Sequence, residues 1–301
     1  MQNFFYGWYL KCEADNQTIA IIPAIHQCGA KRTCSIQIIT DENTYSVTFP
    51  AWNFYRQSKN RNILKASDSD SGQAIIIGEN IFCEKGMKLS INTPELILEG
   101  KLLFRDLVPL KYDIMGPFVW IPFMECRHSV YSMHHIVEGE VFLNGKKYVF
   151  HKGKGYWEGD KGSSFPREYL WTQCFFEGGS LMLSVAEIPF AGGNFTGVLG
   201  VVWWQGKEYR LATYLGAKVT WLGNGSVRIV QRDMMLEAKL LGWKALAQVD
   251  KKGLQAPVCG EMNRIIQEHV ACRASYRFVK DKEICLDFVT ERAGFEYEYK
   301  H

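Results

Sequence analysis

A short acidic segment near the middle of the chain combines residue types that could move a proton. Tyr156, Glu158 and Asp160 are spaced two residues apart, and on an extended backbone this spacing turns all three side chains to one side. When two carboxyl groups lie close together, one of them tends to keep its proton, and neighbouring aromatic rings strengthen this effect by excluding water. A carboxylic acid that stays protonated at neutral pH can protonate a poor base such as an alkene. The segment therefore predicts a general acid built from Glu158 or Asp160, with Tyr156 beside it.

The same segment has a second interpretation that needs no chemistry. It is rich in glycine, and three lysines lie close by at Lys152, Lys154 and Lys161. In a solvated loop these lysines would pair with the acids at the surface. The residue types alone favour neither interpretation, so both stay open.

Residues 115–128 form an apolar and aromatic run that contains three isolated ionisable side chains. Glu125 and Arg127 share one face of an extended strand and could neutralise each other, whereas His128 falls on the opposite face together with His134. Ionisable groups in apolar surroundings are costly unless they are paired or functional. We therefore keep His128 as a candidate catalytic residue, and we count Glu125 and His134 among the candidate substrate-binding residues.

Aromatic residues are unusually frequent, at 14% of the chain. They favour strands and line apolar pockets, so the composition predicts a β-rich protein with an organic ligand. Trp171 and Gln173 alternate to the same face of one predicted strand, which would let Gln173 orient a polar group of that ligand. The other candidate pocket residues are Trp8, Trp120, Phe123 and Trp157.

The elements that must position these residues are mostly strands. Short runs of Val, Ile, Thr and aromatic residues recur along the chain and are separated by turn residues. Asn144-Gly145 and Gln205-Gly206 predict tight hairpin turns. Helical spacing of apolar residues predicts one helix over Glu261–Ala271, and a shorter one is expected around Trp52–Asn60. The pattern as a whole indicates an antiparallel all-β protein with one short helix near the carboxyl terminus.

The length of the chain, 301 residues, favours two structural units. A stretch with a proline and two glycines follows a strong predicted strand at residues 189–194. We place the boundary there, which predicts one β domain over residues 1–190 and a second over residues 191–301.

The composition excludes several classes of protein. Hydrophobic residues make up 47% and charged residues 22% of the chain, which excludes a disordered protein. The net charge of +3 comes without a basic run, so nucleic-acid binding has no electrostatic basis. Nine cysteines without a CxxC pair indicate a reduced, cytoplasmic protein rather than a disulfide or zinc framework. No signal peptide or membrane-spanning run is recognisable, although a lipophilic substrate could bring the protein to a membrane surface.

Motifs for metals and organic cofactors are weak. Asp68–Glu79 imitates a calcium loop but has glutamine where that loop requires glycine. Gly153-Lys-Gly155 lacks the third glycine of a dinucleotide-binding fingerprint. His134 and His135 are adjacent, so on a strand they point to opposite faces and cannot chelate one ion together. We therefore expect neither a metal nor a cofactor.

Two long motifs carry a resemblance to a known family. The run MGPF…PFMEC.H at 115–128 and the run GKGYWEGD.G.SFP at 153–166 look like the tocopherol cyclase family, especially its bacterial members. The resemblance extends over essentially the whole chain and is densest over residues 114–190. It implies two lipocalin-like β units, a fold that the family shares with carotenoid hydratases and with some pericyclases of natural-product pathways. It also implies that Glu158 is the proton donor, with Tyr156 beside it and His128 facing the pocket.

The chain departs from the family pattern at positions near the implied acid. Such changes alter the shape and charge of a pocket, so the substrate or the ring closure is expected to differ from the family's chromanol-forming reaction. Family members usually have Glu at Tyr6, Trp at Lys161 and Arg at Ser163, and often an aromatic residue at Arg127 and Gly at Ser129.

The expected function is an intramolecular cyclase that acts on a lipophilic, prenylated or polyene small molecule. Glu158 would protonate an alkene, and an internal nucleophile would capture the cation while aromatic rings stabilise it. Three alternatives stay open: a pericyclase of the Diels–Alder type, a carrier that binds an apolar ligand without chemistry, and a hydratase. The sequence predicts neither the identity of the substrate nor the oligomeric state.

Overall fold

The computed structural model describes residues 3–57, 73–121, 124–190, 193–242 and 253–299. Within these ranges the protein consists of twenty-two β-strands and three short 3₁₀ helices, at Ala51–Asn53, Gly116–Trp120 and Thr213–Leu215. This confirms the predicted antiparallel all-β fold class. None of the helices in the described ranges is long and apolar enough to cross a membrane.

The first part of the chain forms one antiparallel sheet of eleven strands. Its strands are β1 Phe4–Ala14, β2 Gln17–Cys28, β3 Lys31–Thr40, β4 Thr44–Pro50, β5 Phe54–Gln57, β6 Ala74–Ile77, β7 Asn80–Cys83, β8 Gly86–Asn92, β9 Ile97–Arg105, β10 Cys126–Leu143 and β11 Lys146–Gly162. Their order is β4-β3-β2-β1-β11-β10-β9-β8-β7-β6-β5. The acidic segment is therefore a central strand, β11, held between β1 and β10.

The second part forms a nine-stranded antiparallel sheet and a separate two-stranded sheet. The large sheet contains β12 Tyr169–Phe176, β13 Gly179–Phe190, β14 Gly193–Trp204, β15 Lys207–Ala212, β16 Lys218–Gly223, β17 Ser226–Gln231, β18 Met234–Leu240, β21 Glu268–Lys280 and β22 Glu283–Tyr297. Their order is β15-β14-β13-β12-β22-β21-β18-β17-β16. The small sheet pairs β19, Leu254–Val258, with β20, Glu261–Ile266.

Both predicted hairpin turns are confirmed. Asn144 and Gly145 join β10 to β11 with φ values of 48° and 83°, and Gln205 and Gly206 join β14 to β15 with 49° and 75°. Positive φ at both central positions is typical of the type I′ turn, whose twist matches that of the paired strands.

The predicted helix at Glu261–Ala271 is wrong, because this segment forms β20 and the beginning of β21. Ile265 and Ile266 both fitted the helical spacing, yet Ile265 is 69% exposed and Ile266 is fully buried. The two side chains point to opposite faces of a strand. The shorter helix expected around Trp52–Asn60 is also wrong over residues 51–57, where one 3₁₀ turn leads directly into β5. Residues 58–60 lie outside the described residues.

The chain passes from the first large sheet to the second between Gly162 and Tyr169. The predicted boundary at residue 190 falls inside the second sheet instead, since β13 and β14 pair along their whole lengths on either side of it. Pro189 and Gly193, which suggested a boundary, belong to this hairpin, because turns and domain linkers favour the same residues.

Three apolar clusters hold the fold together. The first lies within the eleven-stranded sheet and includes Trp8 and Trp157, and the second lies within the nine-stranded sheet. The third contains side chains from both sheets, among them Tyr9, Tyr156 and Trp171. The third cluster therefore joins the two sheets, and it surrounds the site described below.

Gly162 marks the place where β11 leaves β10, and we expect its replacement to test this packing. A Cβ atom at Gly162 would lie 1.9 Å from the backbone oxygen of Glu125. Backbone atoms cannot move aside as a flexible side chain can, so Gly162→Ala should lower the free energy of unfolding by about 1–3 kcal/mol. At Gly223 the nearest atom would be 3.8 Å away, in the Trp221 ring, so Gly223→Ala is the matched control. Urea unfolding of both variants measures the difference, and equal stabilities would contradict the prediction.

Candidate active site

A cavity of about 150 Å³ lies between the two large sheets. Its wall is mainly apolar and aromatic, and strands of both sheets as well as the small β19–β20 sheet contribute to it. An apolar pocket with a few convergent polar groups is the usual form of a small-molecule site. The aromatic residues that line it are Phe5, Trp8, Tyr9, Phe118, Phe165, Tyr169, Trp171 and Phe195.

Strand β11 delivers the acidic side chains to this cavity. Glu158 and Asp160 line it, and the hydroxyl of Tyr156 donates a 2.5 Å hydrogen bond to Oε2 of Glu158. The side chain of Trp157 points the other way, into the core of the first sheet, where its ring centroid lies 4.8 Å from that of Trp8. The two-residue spacing of Tyr156, Glu158 and Asp160 thus brings them together as the sequence predicted.

His128 lies between the two carboxyl groups. His128 on β10 lies directly opposite Asp160 on β11. Its Nδ1 is 2.9 Å from Oδ1 of Asp160, and its Nε2 is 3.3 Å from Oε2 of Glu158. The second contact has the distance of an ion pair but not the geometry of a hydrogen bond. Burial alone would lower the pKa of His128, but the negative charges of Glu158 and Asp160 outweigh it and raise the pKa well above its ordinary value.

The Glu158 carboxyl is surrounded by proton donors. Besides Tyr156 and His128, the indole nitrogen of Trp171 donates to its Oε2 at 3.2 Å. Glu158 is only 5% exposed, and Tyr9 lies directly opposite it on β1. Burial raises the pKa of Tyr156 well above its ordinary value, and the charge of Glu158 adds to this effect. The Tyr156 hydroxyl therefore keeps its proton and serves as a fixed donor to the carboxyl.

A second pair of acids lines the same cavity from the other sheet. Glu268 on β21 and Glu296 on β22 are cross-strand neighbours, and both are buried. The hydroxyl of Tyr169 donates a hydrogen bond to Oε2 of Glu296. Burial raises the pKa of Glu268 to about 8, and burial followed by the charge of Glu268 raises the pKa of Glu296 well above its ordinary range.

Sequence reasoning missed this second pair of acids. Glu268 lay inside the predicted helix, and Glu296 belongs to the run Phe295-Glu-Tyr-Glu-Tyr299. The available signal for Glu296 was this alternation of aromatic and acidic residues, which on a strand places Glu296 and Glu298 on one face. Glu298 does share that face, but it pairs with Arg264.

Of the remaining candidates, Trp171 lines the cavity. Trp8 is also a lining residue, but its ring packs against Trp157 in the core of the first sheet. Four other described candidates do not line the cavity. Trp120 is 80% exposed, Glu125 is exposed, and Phe123 lies outside the described residues. His134 packs against the ring of Trp203, and Gln173 is fully buried in strand β12 away from the cavity wall, with no hydrogen-bond partner for its side chain in the described ranges. Glu125 and Trp120 stand on the irregular segment before β10, where strand alternation does not hold.

His128, Glu158 and Asp160 could also hold a cation. Each offers one ligand atom, and these atoms lie within 4.8 Å of one another. A metal needs a neutral imidazole, however, and the raised pKa of His128 favours a proton at that position. The arrangement thus suits proton transfer better than metal binding.

The sequence matches no protein-family model and no curated protein. Solved structures do share the fold. The structure of CghA with Sch210972 has a TM-score of 0.59 at 9% identity, covering 98% of this chain and 88% of the other. Kievitone hydratase from Nectria haematococca has a TM-score of 0.54 at 9% identity, over 98% and 89%. A protein assigned as ATTH from Nitrosomonas europaea has a TM-score of 0.53 at 9% identity, covering 100% of this chain and 93% of the other. These similarities show that the fold is shared along essentially the whole chain.

Proposed function

We propose that this protein is a cofactor-independent enzyme that closes a ring in a lipophilic, prenylated or polyene small molecule. The observation that carries the proposal is the buried carboxyl of Glu158, which faces an aromatic cavity with a proton-holding imidazole 3.3 Å away. A solvated surface loop, the other interpretation of this segment, would not bury Glu158 to 5% exposure.

The reaction begins with a proton from His128. The imidazolium passes its Nε2 proton to the Glu158 carboxylate, and the resulting carboxylic acid protonates one carbon of an alkene. The π electrons form the new C–H bond, which leaves a cation on the more substituted carbon. A lone pair of an internal oxygen captures this cation and closes the ring. The proton released from that oxygen returns through Glu158 to Nε2 of His128, so the enzyme is restored and substrate and product are isomers.

The neighbouring residues assist each of these steps. Asp160 orients His128 through Nδ1 and stabilises its charged form. The rings of Trp171 and Tyr9, 5.3 Å apart by their centroids, can stabilise the cation through their faces. The apolar wall excludes water, which would otherwise capture the cation first.

The resemblance to tocopherol cyclases supports this assignment, and we propose the same general chemistry on a different substrate. The same protonation followed by capture of a water molecule would make the protein a hydratase, the activity in the name of its structural neighbour kievitone hydratase. A pericyclase would use the cavity for shape and hydrogen bonding, with proton transfer secondary. We further propose that the protein works in the cytoplasm without nucleic acid and reaches lipophilic substrates by peripheral contact with membranes.

Native mass spectrometry of the protein purified from its own host, followed by extraction of any bound molecule, tests the proposal. We expect a polyene or prenylated phenol together with a ring-closed isomer of equal mass. Turnover of that substrate in D₂O should place one deuterium on carbon in the product. A ring-closed product without deuterium would indicate a pericyclase, and oxygen incorporated from labelled water would indicate a hydratase. A single lipid returned unaltered would overturn the proposal in favour of a carrier.

A further inference from the structure

Glu268 is a buried acid whose carboxyl group forms no hydrogen bond of normal geometry with the described residues. It is 8% exposed and lines the cavity, and neither of its carboxyl oxygens has a hydrogen-bond partner in the part of the chain that the structure describes. The hydroxyl of Tyr9 is close enough to this carboxyl to lower its pKa, but the two groups do not form a hydrogen bond of normal geometry. Another polar side chain of the wall, Gln37, bonds to the backbone of Gln255 through both of its polar atoms. An unpartnered buried polar group is expensive, so the contrast points to a ligand that completes Glu268.

The charges on the cavity wall show which kind of ligand group fits. Four carboxyl groups line it, those of Glu158, Asp160, Glu268 and Glu296, against one imidazole and no lysine or arginine side chain among the described lining residues. Buried carboxylates are normally paired with a cation. His128 already serves Glu158 and Asp160, and it does not contact the second pair.

None of the described groups around Glu268 forms an ion pair with its carboxyl group. The charged or titratable groups that face it are Tyr9 and Lys11 from β1, Glu158 from β11 and Glu296 from β22. The ammonium of Lys11 is already bonded to the backbone oxygen of Arg292 and paired with Glu13. Burial outweighs the charge of Lys11 and raises the Glu268 pKa to about 8, so this carboxyl is mostly neutral at pH 7.

We propose that Glu268 is the anchor for a basic nitrogen, so that the substrate of this cavity is a lipophilic amine that binds as a cation. The inference rests on the proposed function in taking the cavity as the substrate site. The ammonium group pairs with the carboxylate of Glu268, while the hydroxyl of Tyr9 and the aromatic wall complete its surroundings. Because the empty carboxyl holds a proton, binding of the ammonium form at pH 7 releases one proton to the solvent.

Three probes with the same prenyl chain test this inference without any turnover. The affinities of farnesylamine, farnesol and farnesoic acid are measured at pH 7 by displacement of the neutral dye Nile red from the protein. We expect farnesylamine to bind about tenfold more tightly than farnesol, and farnesoate to bind more weakly than farnesol. Isothermal titration in buffers of different ionisation enthalpy should show one proton released per farnesylamine. The net charge of +3 works against amine binding in general, so the preference must come from the site.

Variants assign the preference to one residue. Glu268→Gln should reduce the preference for amine over alcohol about tenfold, while farnesol binding, which also reports correct folding, changes by less than about threefold. Glu268→Asp keeps a carboxyl and should keep the preference, and Glu283→Gln, an exposed acid at the tip of the same hairpin, should change nothing. Equal binding of amine and alcohol by the native protein, or an unchanged preference in Glu268→Gln, would overturn the inference. Loss of deuterium incorporation with the amine preference intact would instead overturn the proposed cyclisation alone.

Discussion

Replacing Glu158 by glutamine is expected to slow ring closure by about a thousandfold, since general acid catalysis typically contributes a factor of 10²–10⁴. Glutamine has almost the same size and can still accept from Tyr156 and Trp171, but it cannot deliver a proton to an alkene. The affinity for the substrate should therefore change little. Single-turnover kinetics with the co-purified substrate measure the chemical step, and equilibrium dialysis measures the binding.

Two further variants make this result specific to Glu158. Asp160→Asn should slow the reaction less, because Asp160 acts through His128 and does not itself donate to the substrate. Glu140→Gln removes an exposed acid that pairs with Lys147 on the same hairpin, and it should leave the rate within about twofold. A Glu158→Gln variant that keeps its full rate would exclude protonation by this group and favour a pericyclic reaction.

Glu268→Gln is expected to make the protein more stable than the native form at pH 9, by on the order of 3 kcal/mol, but not at pH 4. The carboxyl has an ordinary pKa of 4.5, and burial raises it to about 8 in the folded protein. Between these values the folded state holds a proton that the unfolded state has lost. Stability therefore falls as the pH rises from about 4.5 to about 8, and below 4.5 the carboxyl is protonated in both states. Glutamine does not titrate, so the variant does not lose this part of its free energy of unfolding as the pH rises.

Urea unfolding at pH 4, 6 and 9 measures the effect as the difference between variant and native protein, in which contributions shared by both cancel. Glu283→Gln is the matched control, because its exposed side chain should give a difference that does not vary with pH. A difference that stays constant from pH 4 to pH 9 for Glu268→Gln would contradict the buried neutral carboxyl. Because the charge of Glu268 also raises the pKa of Glu296, part of the pH-dependent difference comes from Glu296.

Strand alternation predicted the first acid group correctly. The alternation requires only that the segment be extended, and β11 is extended over its whole length, so Tyr156, Glu158 and Asp160 share one face. The same rule places Trp157 on the opposite face, in the core of the first sheet. Its prediction as a pocket residue rested on sequence proximity to Glu158, which on a strand brings a neighbour no closer to the site.

Helical and strand periodicities proved hardest to separate where apolar residues are adjacent. Around Ile265 and Ile266 the two patterns predict different buried sets, and only the sheet partners decide between them. β20 pairs with β19, and β21 pairs with β18 and β22. The pairing of β21 with β18 joins residues that are distant in sequence, so no local pattern reports it.

By itself the sequence determined the fold class, both hairpin turns and the grouping of Tyr156, Glu158 and Asp160, because each depends on local backbone geometry or on composition. Only the tertiary structure decided that the cavity lies between two sheets, that His128 bridges two carboxyl groups, and that Glu268 and Glu296 face the same space. These relations depend on strand register and on the packing of one sheet against another. The order of residues along a strand predicts which face each side chain takes. It does not predict the neighbours on that face, because they belong to other strands.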